Sequence, residues 1–145
     1  MSQPQVFVPD LFRGKVAFFA GGSSGINLAI AMRFAELGAQ VSIISRSEEK
    51  VRAAVEGIER AGGRAIGRAA DVRDYAAVDA ALAETYERAG PIDFVVSGAA
   101  GNFVAKAAEM SANAFKTVID IDLLGTFNVL RAAHSRLRKP GASIV

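Results

Sequence analysis

Val16-Ala17-Phe18-Phe19-Ala20-Gly21-Gly22-Ser23-Ser24-Gly25-Ile26-Asn27 passes from an apolar run into a glycine-rich turn and out into a stripe of helical period. The run is too short for a helix and reads as a buried strand from about Lys15 to Ala20. Beyond the turn, Ile26, Ile30, Phe34 and Leu37 recur at helical spacing, Ala29 and Ala31 are small enough for close packing, and Gly38 supplies the stop. A strand, a glycine turn and a helix in that order suit an anionic ligand. Glycine lets backbone amides approach a phosphate with no side chain between, and a helix start offers unpaired N–H groups and the positive end of its dipole. The spacing here is G-x-x-x-G rather than G-x-G-x-x-G, and a glycine turn also has a purely structural reading. A nucleotide cofactor is the first expectation.

Outward from this turn, strand and helix signals alternate. Met1 to Arg13 reads as an N-terminal arm, with Phe7, Val8, Leu11 and Phe12 available for packing and Pro4 and Pro9 discouraging regular structure. Residues 14–145 form the body. Val41-Ser42-Ile43-Ile44-Ser45 is a β-branched second strand ending at Arg46. Ser47 caps the next helix, with Glu48 and Glu49 in its first turn, Val51, Val55 and Ile58 on its inner face and Gly62-Gly63 at its end. A third strand spans about Arg64 to Ala70, Asp74 caps a third helix carrying Val78, Ala81 and Leu82, and Phe94-Val95-Val96-Ser97 is a fourth strand. After the loop Gly98 to Asn102, a long helix is expected over 112–138, capped by Ser111 and closed before Pro140-Gly141.

Short connections between alternating strands and helices predict an α/β fold, a doubly wound parallel sheet of the Rossmann type. Ser143-Ile144-Val145 reads as the start of a fifth strand. Such folds continue past that point, so the sequence is expected to be the N-terminal part of a single-domain protein, incomplete at its C-terminal side. Phe115, Val118, Ile119, Leu123, Phe127 and Leu130 leave little of the long helix wholly polar. A helix of that kind is buried or shared between subunits, and homo-oligomerisation through 112–138 is the expectation.

Composition narrows the function classes. Of 145 residues, 51% are hydrophobic and 22% charged, close to globular averages. Seventeen basic and fifteen acidic residues are interspersed for a formal net charge of +2, which offers no dense basic patch for nucleic acid. Cysteine is absent and histidine occurs once, which excludes disulfides and thiolate metal sites and leaves no expected metal centre. No apolar run is long enough to cross a bilayer, and the start lacks the basic and apolar regions of a signal peptide. A soluble, cytoplasmic protein without membrane or nucleic-acid partners is expected.

Several motifs in order resemble the short-chain dehydrogenase/reductase family across essentially the whole sequence. Ala20 to Asn27 falls where that family carries T-G-x-x-x-G-I-G, Asp71-Val72 matches its adenine-contacting acidic residue after the third strand, and Ser97-Gly98-Ala99-Ala100-Gly101 sits where it carries N-N-A-G. Within the family, Ala99-Ala100-Gly101-Asn102-Phe103 and Asn113 to Asp122, continuing through Gly125-Thr126-Phe127-Asn128-Val129, are similar to 2,4-dienoyl-CoA reductases, particularly the peroxisomal type. The resemblance implies hydride transfer from NADPH to an unsaturated fatty acyl-CoA. A short-chain reductase of a carbonyl substrate, such as a 3-oxoacyl thioester, is a second reading, and a non-catalytic dinucleotide-binding or regulatory protein is a third.

On this resemblance the cofactor contacts fall to Gly21, Ser23, Ser24, Gly25 and Ile26, to Arg46, Asp71 and Val72, and to Ala99, Ala100 and Gly101. Arg46 also has an independent argument. An acidic residue at the end of the second strand would bind the ribose 2′-hydroxyl of NADH, whereas arginine accommodates the 2′-phosphate of NADPH. Its other reading is a solvated arginine at a helix start, and Asp71 can equally be a turn or capping residue. Asn102 and Phe103 follow the carboxyl end of the fourth strand, where they contact substrate or nicotinamide, or pack their loop.

Departures from the family pattern limit the transfer. Ala20 stands for its threonine, Ser97-Gly98 for its paired asparagines, and Asn27 for its third glycine, putting a Cβ and an amide where close approach favours glycine. That amide either displaces the cofactor or contacts it. Asp122 sits where the general family has its active-site asparagine, although the peroxisomal dienoyl-CoA reductases share the Asp-Ile-Asp found here. It interrupts a face formed by Phe115, Val118, Ile119 and Thr126, so a partly buried carboxylate of raised pKa, acting catalytically, is one expectation. The other is that it hydrogen-bonds backbone or faces solvent. The family's Tyr-x-x-x-Lys and the serine before it fall after the fifth strand, outside residues 1–145. Tyr75 and Tyr86 have no lysine four residues on, and lone His134 near the end of the long helix reads as a surface residue.

Overall fold

The structure, a computed structural model, describes residues 6–145; Met1 to Gln5, and with them Pro4 of the expected arm, lie outside the described residues. The apolar runs form five parallel strands, β1 (Val16–Ala20), β2 (Gln40–Ser45), β3 (Arg64–Ala69), β4 (Phe94–Ser97) and β5 (Ser143–Ile144). Their order in the sheet is β3-β2-β1-β4-β5. The chain steps outward from β1 to β3, then returns to lay β4 on the other side of β1, and this reversal opens a crevice at the carboxyl ends of β1 and β4. The doubly wound α/β fold expected from the sequence is the one observed.

β1 is buried along its whole length, and its two-residue alternation feeds two cores. Phe18 and Ala20 pack with Val95, Val78 and Leu82, whereas Ala17 and Phe19 pack with Ile43, Ala35 and Ile58. Each of the fully buried aromatic side chains Phe18 and Phe19 contributes about 1.5–3 kcal/mol on removal from water. Helices α1 (Gly25–Glu36) and α2 (Glu48–Arg60) cover the second face, and α3 (Tyr75–Ala89) covers the first. The small residues Ala31 and Ala35 are the buried ones on α1, which lets it approach the sheet closely, while Ile26, expected to begin the apolar stripe, is 81% exposed. Of the apolar arm residues, Phe12 stacks on Phe34 at 4.5 Å and meets Phe94 edge-on at 5.2 Å. Phe7, Val8 and Leu11 remain exposed, Phe7 lying beneath the Arg33 guanidinium.

The predicted caps form: Ser47, Asp74 and Ser111 accept hydrogen bonds from the N–H groups of Lys50, Ala77 and Ala114. The long helix expected over 112–138 is less regular. It consists of α4 (Ala112–Ile119), a π-helical turn (Asp120–Leu124), α5 (Gly125–Ala133) and a 3-10 turn (His134–Arg136). Helical structure ends at Arg136 because the following backbone is recruited to the sheet: Ile92 N–H donates to Arg136 O and Arg138 N–H to Ile92 O, with Leu137 bridging beside Ile92. Gly125 brings this helix against the loop after β3, where an added Cβ would lie 2.6 Å from Val72. Phe115, Ile119, Leu123 and Phe127 stay exposed, an apolar strip uncovered in the described chain.

Asp93, 2% exposed, joins three parts of the fold at the amino edge of β4. It accepts from the Val16 N–H at 3.0 Å, from Lys15 Nζ at 3.2 Å and from the Arg138 guanidinium. Burial opposes its charge, but the donors of Arg138, Val16 and Lys15 outweigh burial and hold the carboxyl below its ordinary range. Because the folded pKa lies below the unfolded one, this stabilisation is fully present above about pH 4 and is lost as pH falls through the folded value. Asp93→Ala should therefore cost on the order of 3 kcal/mol in denaturant unfolding at pH 7. The deficit should shrink on acidification; a pH-independent deficit would assign the loss to packing instead.

Candidate functional site

A cavity of about 530 Å³ opens at the carboxyl edge of the sheet, within the range of small-ligand sites, roughly 300–1,000 Å³. Its floor is the contact between the turn after β1 and the loop after β4. Gly21 has φ +82°, and a Cβ there would lie 2.7 Å from Ala99 Cα, so the two loops meet backbone to backbone. Gly98 N–H also donates to Ala20 O at 3.0 Å. Ser23 is buried and its hydroxyl donates to Ser45 Oγ at 2.8 Å, tying the turn to the end of β2. Ser24 precedes α1 without making a side-chain cap bond, unlike the residues that open α2, α3 and α4. The helix start beside the cavity thus keeps N–H groups available for an anion. Gly21, Ser23 and Ser24 line the cavity; Gly25, with φ +60°, and exposed Ile26 are not part of its lining.

The end of β2 supplies positive charge. Arg46 and Ser47 line the cavity, joined by Lys50 from the first turn of α2. Lys50 lies four residues after Arg46, a spacing visible in the sequence once Ser47 is taken as the cap. Ala70, Asp71 and Val72 form the neighbouring wall. Arg73 engages both oxygens of Asp71, with its Nη2 2.6 Å from Oδ2 and its Nε 3.0 Å from Oδ1, and the Arg73 N–H adds a bond at 2.9 Å. Hydrogen bonding from Arg73 chiefly holds the Asp71 carboxyl below its ordinary range, against burial. Asp71 is thus a turn residue, the second of its two expected readings, and it also borders the cavity.

The loop after β4 contributes Gly98, Ala99 and Ala100. Gly101 lies just beyond them, where an added Cβ would be 2.7 Å from Ile121 Cδ1, and Ile121 itself lines the cavity from the π-helical turn. Asp122, on the same turn, accepts the Gly101 N–H at 2.8 Å. It is exposed rather than partly buried, which corrects the expected burial: the π-helical turn directs the carboxylate to backbone outside the apolar core. π-helical turns of this kind are frequent at functional sites. Asn102 and Phe103 are exposed and do not line the cavity. Tyr75 lies under the Arg131 guanidinium, Tyr86 is 44% exposed and His134 is exposed, and none of them lines the cavity.

Residues that the sequence reading did not assign to a ligand also reach the cavity: Ser45, Ser47, Lys50, Ala70, Gly98 and Ile121. Asn27, expected either to displace the cofactor or to contact it, lines the cavity as well. Asn27 is distinctive because its Nδ2 donates to Gly98 O at 2.8 Å and lies 3.5 Å from Gly21 O. Glycine-motif spacing marks position 27 as a place of close approach but does not indicate which way a side chain there would turn. A row of loop amides, an uncapped helix start and a cationic corner fit an anionic nucleotide, with phosphate at the turn and further negative charge near Arg46 and Lys50.

A model of the short chain dehydrogenase family matches residues 15–145. A peroxisomal 2,4-dienoyl-CoA reductase of Saccharomyces cerevisiae is 43% identical over 142 residues, covering 94% of this chain and 48% of that protein. A 3-dehydrosphinganine reductase of Arabidopsis thaliana is 44% identical over 130 residues, covering 88% of this chain and 37% of that protein. The chain thus spans about half the length, or less, of these curated relatives. Among solved structures, a citronellol catabolism dehydrogenase of Pseudomonas aeruginosa superposes with a TM-score of 0.88 at 34% identity, covering 96% of this chain and 57% of that one.

Proposed function

The chain belongs to the short-chain dehydrogenase family, and from that premise we propose that the protein is an NADPH-dependent reductase of an unsaturated fatty acyl-CoA. The observation that supports the cofactor choice is the corner at the end of β2, where Arg46 and Lys50 border the cavity, the strand end at which dinucleotide-binding sheets discriminate the ribose 2′-substituent. NADPH, when bound, supplies the hydride. The amides from Gly22 to Ile26 receive the pyrophosphate, the Gly21 N–H being committed to Ile44 O at 2.8 Å, with Gly21 admitting the ligand and Ser23 and Ser24 shaping the turn, while Arg46 and Lys50 receive the 2′-phosphate. Ionised Asp71 is an acceptor for the adenine amine beside Val72. Ala99, Ala100 and Gly101 support the nicotinamide half, and exposed Asn102 and Phe103 at the rim meet the acyl-CoA.

Asp122 is the carboxylate to which we assign a catalytic role. Its Oδ1 is held by the Gly101 N–H, and its Oδ2 accepts no hydrogen bond from the described residues. The exposed strip of Phe115, Ile119, Leu123 and Phe127 supports contact between copies of the chain. Among the described residues no helix is long and apolar enough to cross a membrane. The peroxisomal compartment in the name of the yeast relative differs from the cytoplasmic one expected from the sequence, and it is the compartment we favour.

Reduction of a carbonyl is a second reading, favoured by the likeness to a 3-dehydrosphinganine reductase. NADPH consumption by the intact protein separates the two: it is expected with a 2,4-dienoyl-CoA and not with a 3-oxoacyl-CoA. Turnover of the 3-oxoacyl thioester alone would transfer the assignment to carbonyl reduction. Arg46→Ala should weaken NADPH binding about ten- to a hundredfold, the worth of a charged hydrogen bond, and leave NADH binding unchanged. An unaltered preference between the two cofactors would remove Arg46 from phosphate recognition.

A further inference from the structure

Asn27 and Gly98 fill one space between them at the cavity floor. A Cβ built on Gly98 would lie 2.3 Å from Asn27 Nδ2 and 2.7 Å from its Cγ and Oδ1. The amide therefore lies directly over the Gly98 Cα, and residue 98 can carry no side chain while Asn27 holds this rotamer. The same amide nitrogen donates to Gly98 O at 2.8 Å and reaches Gly21 O at 3.5 Å. Both carbonyls belong to residues that line the cavity, and Asn27 lines it too. The amide thus joins the first turn of α1 to both loops that form the floor. A carbonyl oxygen without a donor repels an anionic ligand, so an amide that occupies these oxygens makes the floor more favourable for phosphate.

We propose that Asn27 is a positioning residue for the dinucleotide: seated in the volume left by Gly98, it fixes the separation of the α1 start from the loop after β4 and engages the carbonyls of Gly21 and Gly98. The inference rests on the dinucleotide reading above and adds a specific side chain to it. A departure from the glycine pattern at position 27 is then compensated by the absence of a side chain at position 98.

The test is a mutant cycle in the intact protein, with NADPH dissociation constants measured well below the melting temperature and melting temperatures recorded without cofactor. Asn27→Ala should raise the NADPH dissociation constant about tenfold, the scale of one or two lost hydrogen bonds. Gly98→Ala should also weaken NADPH binding, because its Cβ displaces the amide, and the same substitution should cost much less in the Asn27→Ala background. A merely structural asparagine would lower the melting temperature and leave the dissociation constant of the folded protein unchanged, and that result would overturn the inference. Equal costs of Gly98→Ala in both backgrounds would overturn it as well. Should Asn27→Ala fail to fold, Gly98→Ala alone decides, with unchanged NADPH affinity contradicting the proposal. An unmodified protein that binds no NADPH would instead overturn the dinucleotide reading, and this inference with it.

Discussion

Gly21 and Ala99 meet at a distance that only a glycine permits: a Cβ on Gly21 would lie 2.7 Å from Ala99 Cα. This contact depends on β1 lying between β2 and β4 in one parallel sheet, so that the turn after β1 and the loop after β4 emerge side by side. The position of the cavity follows from it. The turn brings the uncapped start of α1, β2 delivers Arg46 to one side, and the loop after β3 brings Asp71 alongside. Every residue of β1 is buried, which makes this arrangement costly to shift, since movement of the strand would disturb the cores on both faces of the sheet.

Much of the fold was legible because short-range signals and long-range packing agree. The β-branched run Val41 to Ile44, the caps Ser47, Asp74 and Ser111, and the stops at Gly38 and Gly62 each specify an element locally, and the parallel sheet accommodates them all. The end of the long helix was not legible. Its apolar pattern runs on to Leu137, but hydrogen bonds with Ile92, some forty residues earlier in sequence, draw the chain out of the helix. Nor does any local signal mark the π-helical turn at Asp120–Leu124; it shifts the register by one residue and brings Asp122 to the Gly101 N–H.

Along the cavity wall, the sequence located Ser23, Ser24, Arg46, Asp71 and Val72 as well as backbone contributors, but it also named Gly25, Ile26 and Gly101, which do not join the lining. Gly21, Ala99 and Ala100 follow from strand ends and turn spacing, and they lie where those features place them. Lys50 reaches the site because α2 begins directly after its cap Ser47, which puts Lys50 in the first turn next to the end of β2. Along the loop after β4 the lining ends at Ala100, and exposed Asn102 and Phe103 stay outside it. Asn27 shows the limit most clearly: its identity marks an exception, but only the three-dimensional proximity of Gly98 reveals where the amide can go.

The most direct test of a dinucleotide held between these loops is a two-dimensional amide NMR titration of the intact protein with NADPH. The largest shifts are predicted at the amides of residues 21–27, 46–50, 70–72 and 98–100, with those at 46–50 much smaller when NADH replaces NADPH. Shifts confined to other surfaces, or none at saturating cofactor, would contradict the site.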